Sequence, residues 1–481
     1  MWKQRVTKYS LAVAMMLGAF VTCGGNASAA VDTCFWTGAT NANWSTGSNW
    51  SCTTDGATAP GNGDTVTLPA GASNTAMNND IAGLSLAAVS VNGTGYSLSG
   101  NSLSLSSSNP LTSNSDVTFS NNIAFTTTSN VFIRPATGTT ITFNGTTSFA
   151  TTGAFEVNVG LSGEAGTADF VGNVSGTAGS QFIASEGATI TTRGTNTVTA
   201  TQVGVELGGK FTCLSATCFG NAANTILIAD GVVRAMSTGT YSNPIITGTA
   251  SASAHAYLSG YETATFTGNI TVNDDLSIQQ ISDNKTLTIN GNIALTGDRI
   301  ILNATGVNAK TVINGDISGD FDVYVTQGKS VLGGNNTYTG VTQVYGSNPG
   351  YLIVTSATGL GASTATAYTN IASGSTVDFE FSANGTVAER FNVWGDGAGG
   401  NGAIVASDGG GTPTLTGNIV LQSDATIGSY ATAFNSFNVN SVIRVTTISR
   451  SKAALPTEVL STLAEQPATP TSAPRRLMAQ V

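Results

Sequence analysis

The chain has 481 residues, with 27 acidic and 17 basic side chains, a net charge of −10 and a single histidine. Affinity for phosphate backbones comes from clustered Lys and Arg, so this balance excludes nucleic acid as a partner. Only 9% of residues are charged but 40% are hydrophobic, which excludes a disordered chain and leaves Ser, Thr, Asn and Gly to supply solubility.

The chain opens with Lys3, Arg5 and Lys8, an apolar run from Leu11 to Val21, and Ala27-Ser28-Ala29. That order predicts a cleaved secretory signal over residues 1–30. The apolar run falls well short of the roughly 20 residues a helix needs to cross a bilayer. Phe20-Val21-Thr22 before Cys23 fits poorly with the pattern that precedes a lipid-modified cysteine. No later segment is apolar for long enough to span a membrane, so the mature chain is expected to be secreted or held at a cell surface.

Residues 31–69 form a Trp-rich segment expected to cap the N-terminal end of the mature fold. Four cysteines remain beyond the signal, as two local pairs, Cys34 with Cys52 and Cys213 with Cys218. An even count in an exported chain predicts disulfides. A structural zinc site wants four converging Cys or His ligands, and His255 is the only histidine, so no metal or other cofactor is expected. Trp36, Trp44 and Trp50 suggest either rings that stack on sugars or a plug for an open β-edge, and the plug is favoured.

From residue 70 to 449 apolar residues alternate in short runs: Tyr96 and Leu98, Leu103 and Leu105, Leu287 and Ile289, Phe321, Val323 and Val325. Period two means one face in and one face out. Asn-Gly steps at 92–93, 144–145, 290–291, 314–315 and 384–385 break these runs, where glycine is expected to supply the positive φ of a tight corner. A second element recurs as Gly172-Asn173-Val174, Gly268-Asn269-Ile270, Gly291-Asn292-Ile293, Gly315-Asp316-Ile317 and Gly417-Asn418-Ile419. The glycines at 268, 291 and 315 are 23 and 24 residues apart, with Gly340 25 further on, a spacing that suits one turn of a solenoid. One such unit buries too little to stand alone, and stacking adds a backbone ladder on both sides. Asn-Gly between alternating strands is also a hairpin signal, which keeps an antiparallel sandwich in play.

Between Ser330 and Ser363, the residues Leu332, Gly334, Asn336, Thr337, Tyr338, Thr339 and Gly340, then Thr342, Val344, Gly346, Leu352, Val354, Gly359 and Gly361, resemble the autotransporter-associated β-strand repeat. The Trp-rich start, with Phe35-Trp36-Thr37-Gly38 and Pro60-Gly61-Asn62-Gly63-Asp64, is similar to the leader of such passengers. The resemblance implies a right-handed parallel β-helix at the cell surface, linked to adhesion. It departs from the family at residues 450–481, a Pro-, Ala- and Thr-rich stretch expected to be a disordered tail rather than a membrane barrel, so the mode of attachment is left open.

Catalytic signals are weak. Asp316, Asp320 and Asp322 could bind calcium or act in glycoside cleavage, but turn and solvent-face roles are expected for them, as for Asp274-Asp275. Gly395 to Gly402 lacks the Asp and the second copy of a calcium nonapeptide. His255 has no nucleophile-elbow pattern around it. The expected function is therefore non-catalytic, a surface scaffold or adhesin that binds glycans or other cells through a long polar wall. The alternatives are a polysaccharide lyase or hydrolase, in which carboxylates converge with a base such as Lys310 or Arg299, and a structural matrix component.

Overall fold

The computed structural model describes residues 31–157, 165–248, 255–346, 348, 350–429, 437–445 and 476–479. The expected signal peptide, Cys23 and most of the tail lie outside these residues. The fold is all-β, a parallel β-solenoid of about 15 turns, and the antiparallel sandwich is thereby excluded.

Each turn lays down one short strand on each of three faces. One complete turn consists of Ile270–Val272, Leu276–Gln280 and Thr286–Ile289, and the next of Ile293–Leu295, Ile300–Ala304 and Lys310–Ile313. Corresponding strands pair parallel and in register, so Ile270, Ile293 and Ile317 stack on the first face and Ile278, Leu302 and Val325 on the second. Alternation along each strand turns these residues inward, where they are fully buried. The result is a continuous apolar column, and each buried Ile, Leu or Val contributes about 1.5–3 kcal/mol.

In the earlier turns phenylalanine takes these inward positions. Phe119, Phe143 and Phe170 are register neighbours with centroids 5.8 and 4.9 Å apart, Phe125 stacks on Phe149 at 5.4 Å, and Phe155 on Phe182 at 5.3 Å.

The corners explain the recurrent glycines, though not as positive φ. None of Gly93, Gly145, Gly291, Gly315 and Gly385 is left-handed. The requirement is close approach: a Cβ on Gly291 would lie 1.9 Å from the Gly268 carbonyl oxygen, and one on Gly315 2.0 Å from that of Gly291. The neighbouring Asn or Asp then staples coil to coil. Asn269 Oδ1 accepts the Asn292 N–H (3.1 Å), Asn292 Oδ1 the Asp316 N–H (3.0 Å), and Asp316 Oδ1 the Asn335 N–H (2.7 Å). The successor in this stack is Gly334, whose Cβ would lie 2.3 Å from the Gly315 oxygen; Gly340 sits at a different corner, against Phe321.

The ladder begins inside the segment expected to be only a cap, since Thr33–Trp36 pairs parallel with Thr65–Leu68. Trp50–Cys52 folds back antiparallel on Thr33–Trp36, and the Cys34–Cys52 disulfide joins the two. The second disulfide, Cys213–Cys218, closes a corner. At the far end Arg476–Ala479 is a strand, not disordered tail, and runs antiparallel to Ile419–Ser429.

Candidate functional site

Most residues singled out from the repeat resemblance build the interior and corners of the coil, although Thr337 is exposed. Leu332 is buried on the third face, and the Gly334 and Gly340 corners leave no room for a side chain. Asn336 is buried, with its Oδ1 accepting the Ile317 N–H (2.8 Å) and its Nδ2 donating to the Gly359 carbonyl (2.6 Å). The Thr337 and Thr339 N–H groups donate to the Ile317 and Gly319 carbonyls. Tyr338 is fully buried with its hydroxyl 2.6 Å from Thr342 Oγ1.

The tryptophans are likewise interior. Trp36, Trp44 and Trp50 are at most 2% exposed and meet edge to face at 4.8 and 5.3 Å. Trp36 Nε1 donates to the Asn74 carbonyl and Trp50 Nε1 to that of Trp44. None of the three offers a ring face to a sugar. Beside them, Asp32 accepts from Thr53 Oγ1 and from the Thr33, Thr54 and Asp55 N–H groups, which hold its carboxyl down to about 2.

The acidic trio also staples corners. Beyond Asp316, Asp320 Oδ1 accepts from Thr339 Oγ1 (2.9 Å) and Asp322 Oδ1 from the Val341 N–H (2.7 Å). The Gly395–Gly402 loop arches over the third face, where Ala398 N donates to Thr376 Oγ1 (2.9 Å), which donates on to the Gly402 carbonyl (2.8 Å). Lys310 and Lys329 are exposed register neighbours on that face, with Lys329 Nζ 5.4 Å from the centre of the Tyr351 ring. Among the described residues, the one cluster of ligand type suited to a metal is Asp32, Cys34 and Cys52, and its cysteines are joined to each other.

Two features remain on the outside of the second face. The first is a corner where titratable side chains follow one another from coil to coil: His255, Asp275, Arg299 and Asp322 each precede a register-matched strand. Arg299 Nη2 lies 2.5 Å and His255 Nδ1 3.6 Å from Asp275 Oδ2, so His255 is not isolated. Burial raises the Asp275 pKa, helped by Asp298 and opposed by Arg299. Burial works against the Arg299 charge too, but Asp275 and Asp298 outweigh it and raise its pKa.

The second feature starts where Arg299 sits over the Tyr324 ring, 5.1 Å from its centre. Tyr324, Gln343, Asn370 and Asn392 are register neighbours on four successive coils. All four side chains point outward, because their flanking residues Val323 and Val325, Thr342 and Val344, Thr369 and Ile371, and Phe391 and Val393 are buried inward. Asn370 Nδ2 donates to Gln343 Oε1 (3.3 Å) and Asn392 Nδ2 to Asn370 Oδ1 (2.9 Å), which makes an amide ladder. Two residues on from Gln343 and Asn392, again outward, stand Tyr345 and Trp394. Tyr345 is 39% exposed and meets Tyr324 edge to face at 5.8 Å. A concavity of about 340 Å³ lies here, lined by Gln343, Tyr345, Asn370, Ser373 and Trp394 among others.

None of these groove residues was singled out from sequence, although the signal is present. Tyr324 lies between Val323 and Val325, and Trp394 follows Phe391-Asn392-Val393, so each is an aromatic at an outward position of an alternating strand. What sequence does not display is that Tyr345 and Trp394 share one face.

No family model, curated protein or solved structure matches the chain.

Proposed function

We propose that this is an exported, surface-associated solenoid that binds extended glycans along its second face without cleaving them, in a scaffold or adhesin-like role. The observation that carries the reading is the groove in which Tyr345 and Trp394 flank the Gln343–Asn370–Asn392 amide ladder. Partly exposed aromatic rings offer flat apolar surface to pyranose faces, and convergent amides supply directional hydrogen bonds. Each ladder amide spends only part of its donor and acceptor capacity on its neighbours. Repetition at a rise of roughly 4.8 Å per coil suits a ligand that itself repeats. Two disulfides accord with an oxidising compartment, as do the signal-like start and the resemblance to passenger repeats. Among the described residues no helix is long and apolar enough to cross a membrane.

The test is a glycan-array measurement on the mature chain beside the Tyr345→Ala/Trp394→Ala double variant. At least a tenfold loss of affinity is expected, equivalent to about 1.4 kcal/mol. Equal binding by both proteins would remove the groove from the reading.

The cleavage alternative is favoured by one observation, the meeting of Asp275 with Arg299 and His255, with Asp298 alongside. Asp275 Oδ2 is committed to Arg299 there. A reducing-sugar release assay on the array hits decides between the readings, and no release is expected.

A further inference from the structure

Resting on the glycan-binding reading, we propose that the second-face groove is selective for neutral glycan chains and rejects anionic ones, with the chain lying along the stack of coils.

Charge decides the class. Gln343, Tyr345, Asn370, Ser373 and Trp394 are all uncharged lining residues. Of the cations nearest the groove, Arg299 is already paired with Asp275 at 2.5 Å and has Asp298 beside it, and Arg390 donates from Nη1 to the Ala365 carbonyl (2.6 Å). Asp322 adjoins Tyr324 at that end, where Tyr324 Oη donates to Asp322 Oδ2 (3.4 Å). At the other end Asp396 accepts from Thr426 Oγ1 (2.8 Å). A uronate or sulfate chain entering the groove would therefore meet carboxylates at both ends, with no unpaired cation among the lining residues. A polycation would find no anion in the lining itself, only the two carboxylates at its ends.

Geometry decides the direction. The ladder amides and the rings at 324, 345 and 394 follow the coil axis rather than the strand. Four coils span roughly 14 Å at a rise of about 4.8 Å, so contacts accumulate over several sugar units only if the chain runs along the stack.

The experiment is affinity gel electrophoresis of the full mature chain in gels containing a neutral β-glucan, a neutral mannan, polygalacturonate or chitosan, each at low and at tenfold higher salt. Retardation is expected in at least one neutral gel, unchanged by salt, with none in polygalacturonate; because the chain carries a net charge of −10, retardation in chitosan should disappear at the higher salt. Short neutral oligosaccharides should compete with increasing potency up to about four units and gain little beyond. The Gln343→Lys variant, checked for wild-type circular dichroism, should acquire salt-sensitive retardation by polygalacturonate. Retardation of the wild type only by a charged polymer, or competition as strong by a disaccharide as by a tetrasaccharide, overturns this inference and leaves glycan binding standing. Retardation in no gel overturns the glycan reading itself.

Discussion

The turns from Val117 to Phe219 and those from Ile300 to Leu421 differ in where most of their aromatic residues stand. In the earlier region the rings face inward, as the Phe119–Phe143–Phe170, Phe125–Phe149 and Phe155–Phe182 stacks. In the later region some rings are still buried, among them Tyr338, Phe379 and Phe391, but the second face turns mostly aliphatic residues inward, as at Leu302, Val325, Val344, Ile371 and Val393, and Tyr324, Tyr345 and Trp394 stand outside. Both regions share one backbone plan, so the same strand geometry holds the fold together or presents a surface depending only on whether an aromatic falls on an odd or an even position.

The largest effect that would break this contrast is expected inside the earlier region. Phe170→Ala removes a ring stacked 4.9 Å from Phe143 and should cost about 3–5 kcal/mol in urea unfolding; a cost below 1 kcal/mol would mean the stack is not structural.

A somewhat smaller effect is expected at Glu389, inside the later region. This carboxyl is 2% exposed, with Oε1 accepting from Thr369 Oγ1 (3.0 Å) and Oε2 without a partner. Burial pushes its pKa up to about 7, against the Thr369 hydrogen bond and the Arg390 charge. Because the folded value lies above the ordinary 4.5, the native state holds the extra proton between the two values. The contribution of Glu389 to stability is therefore fully present below pH 4.5 and falls as pH rises to 7, by about 3 kcal/mol. Glu389→Gln should abolish that share of the pH dependence, read as urea midpoints at pH 4.5 and 8; equal slopes for both proteins would contradict it.

The smallest stability effect is expected outside. Trp394→Ala should change unfolding by no more than about 0.5 kcal/mol while weakening glycan retention, and a core-sized loss would show that the ring belongs to the packing after all.

The solenoid itself was legible because its two signals are local. Alternation is visible within a strand such as Thr286–Ile289, and the Gly-Asn-Ile element is visible at a corner. The reason for the glycine was not legible, since the clash at Gly291 is with Gly268, a whole turn away. The element also serves different corners: Gly291 precedes a first-face strand, whereas Gly417 precedes a second-face strand. Spacing thus tracks the turn only where successive copies occupy the same corner. The groove was missed for a related reason. Its rings come from separate turns and meet through register, whereas the conspicuous run of Trp36, Trp44 and Trp50 is dense in sequence because it packs on itself.

The reversed strands at the two extremities carry a last consequence. Trp50–Cys52 and Arg476–Ala479 both run against the direction of every ladder they join. A further coil laid on either of these strands would pair with it antiparallel and break the parallel pattern of the stack at that point.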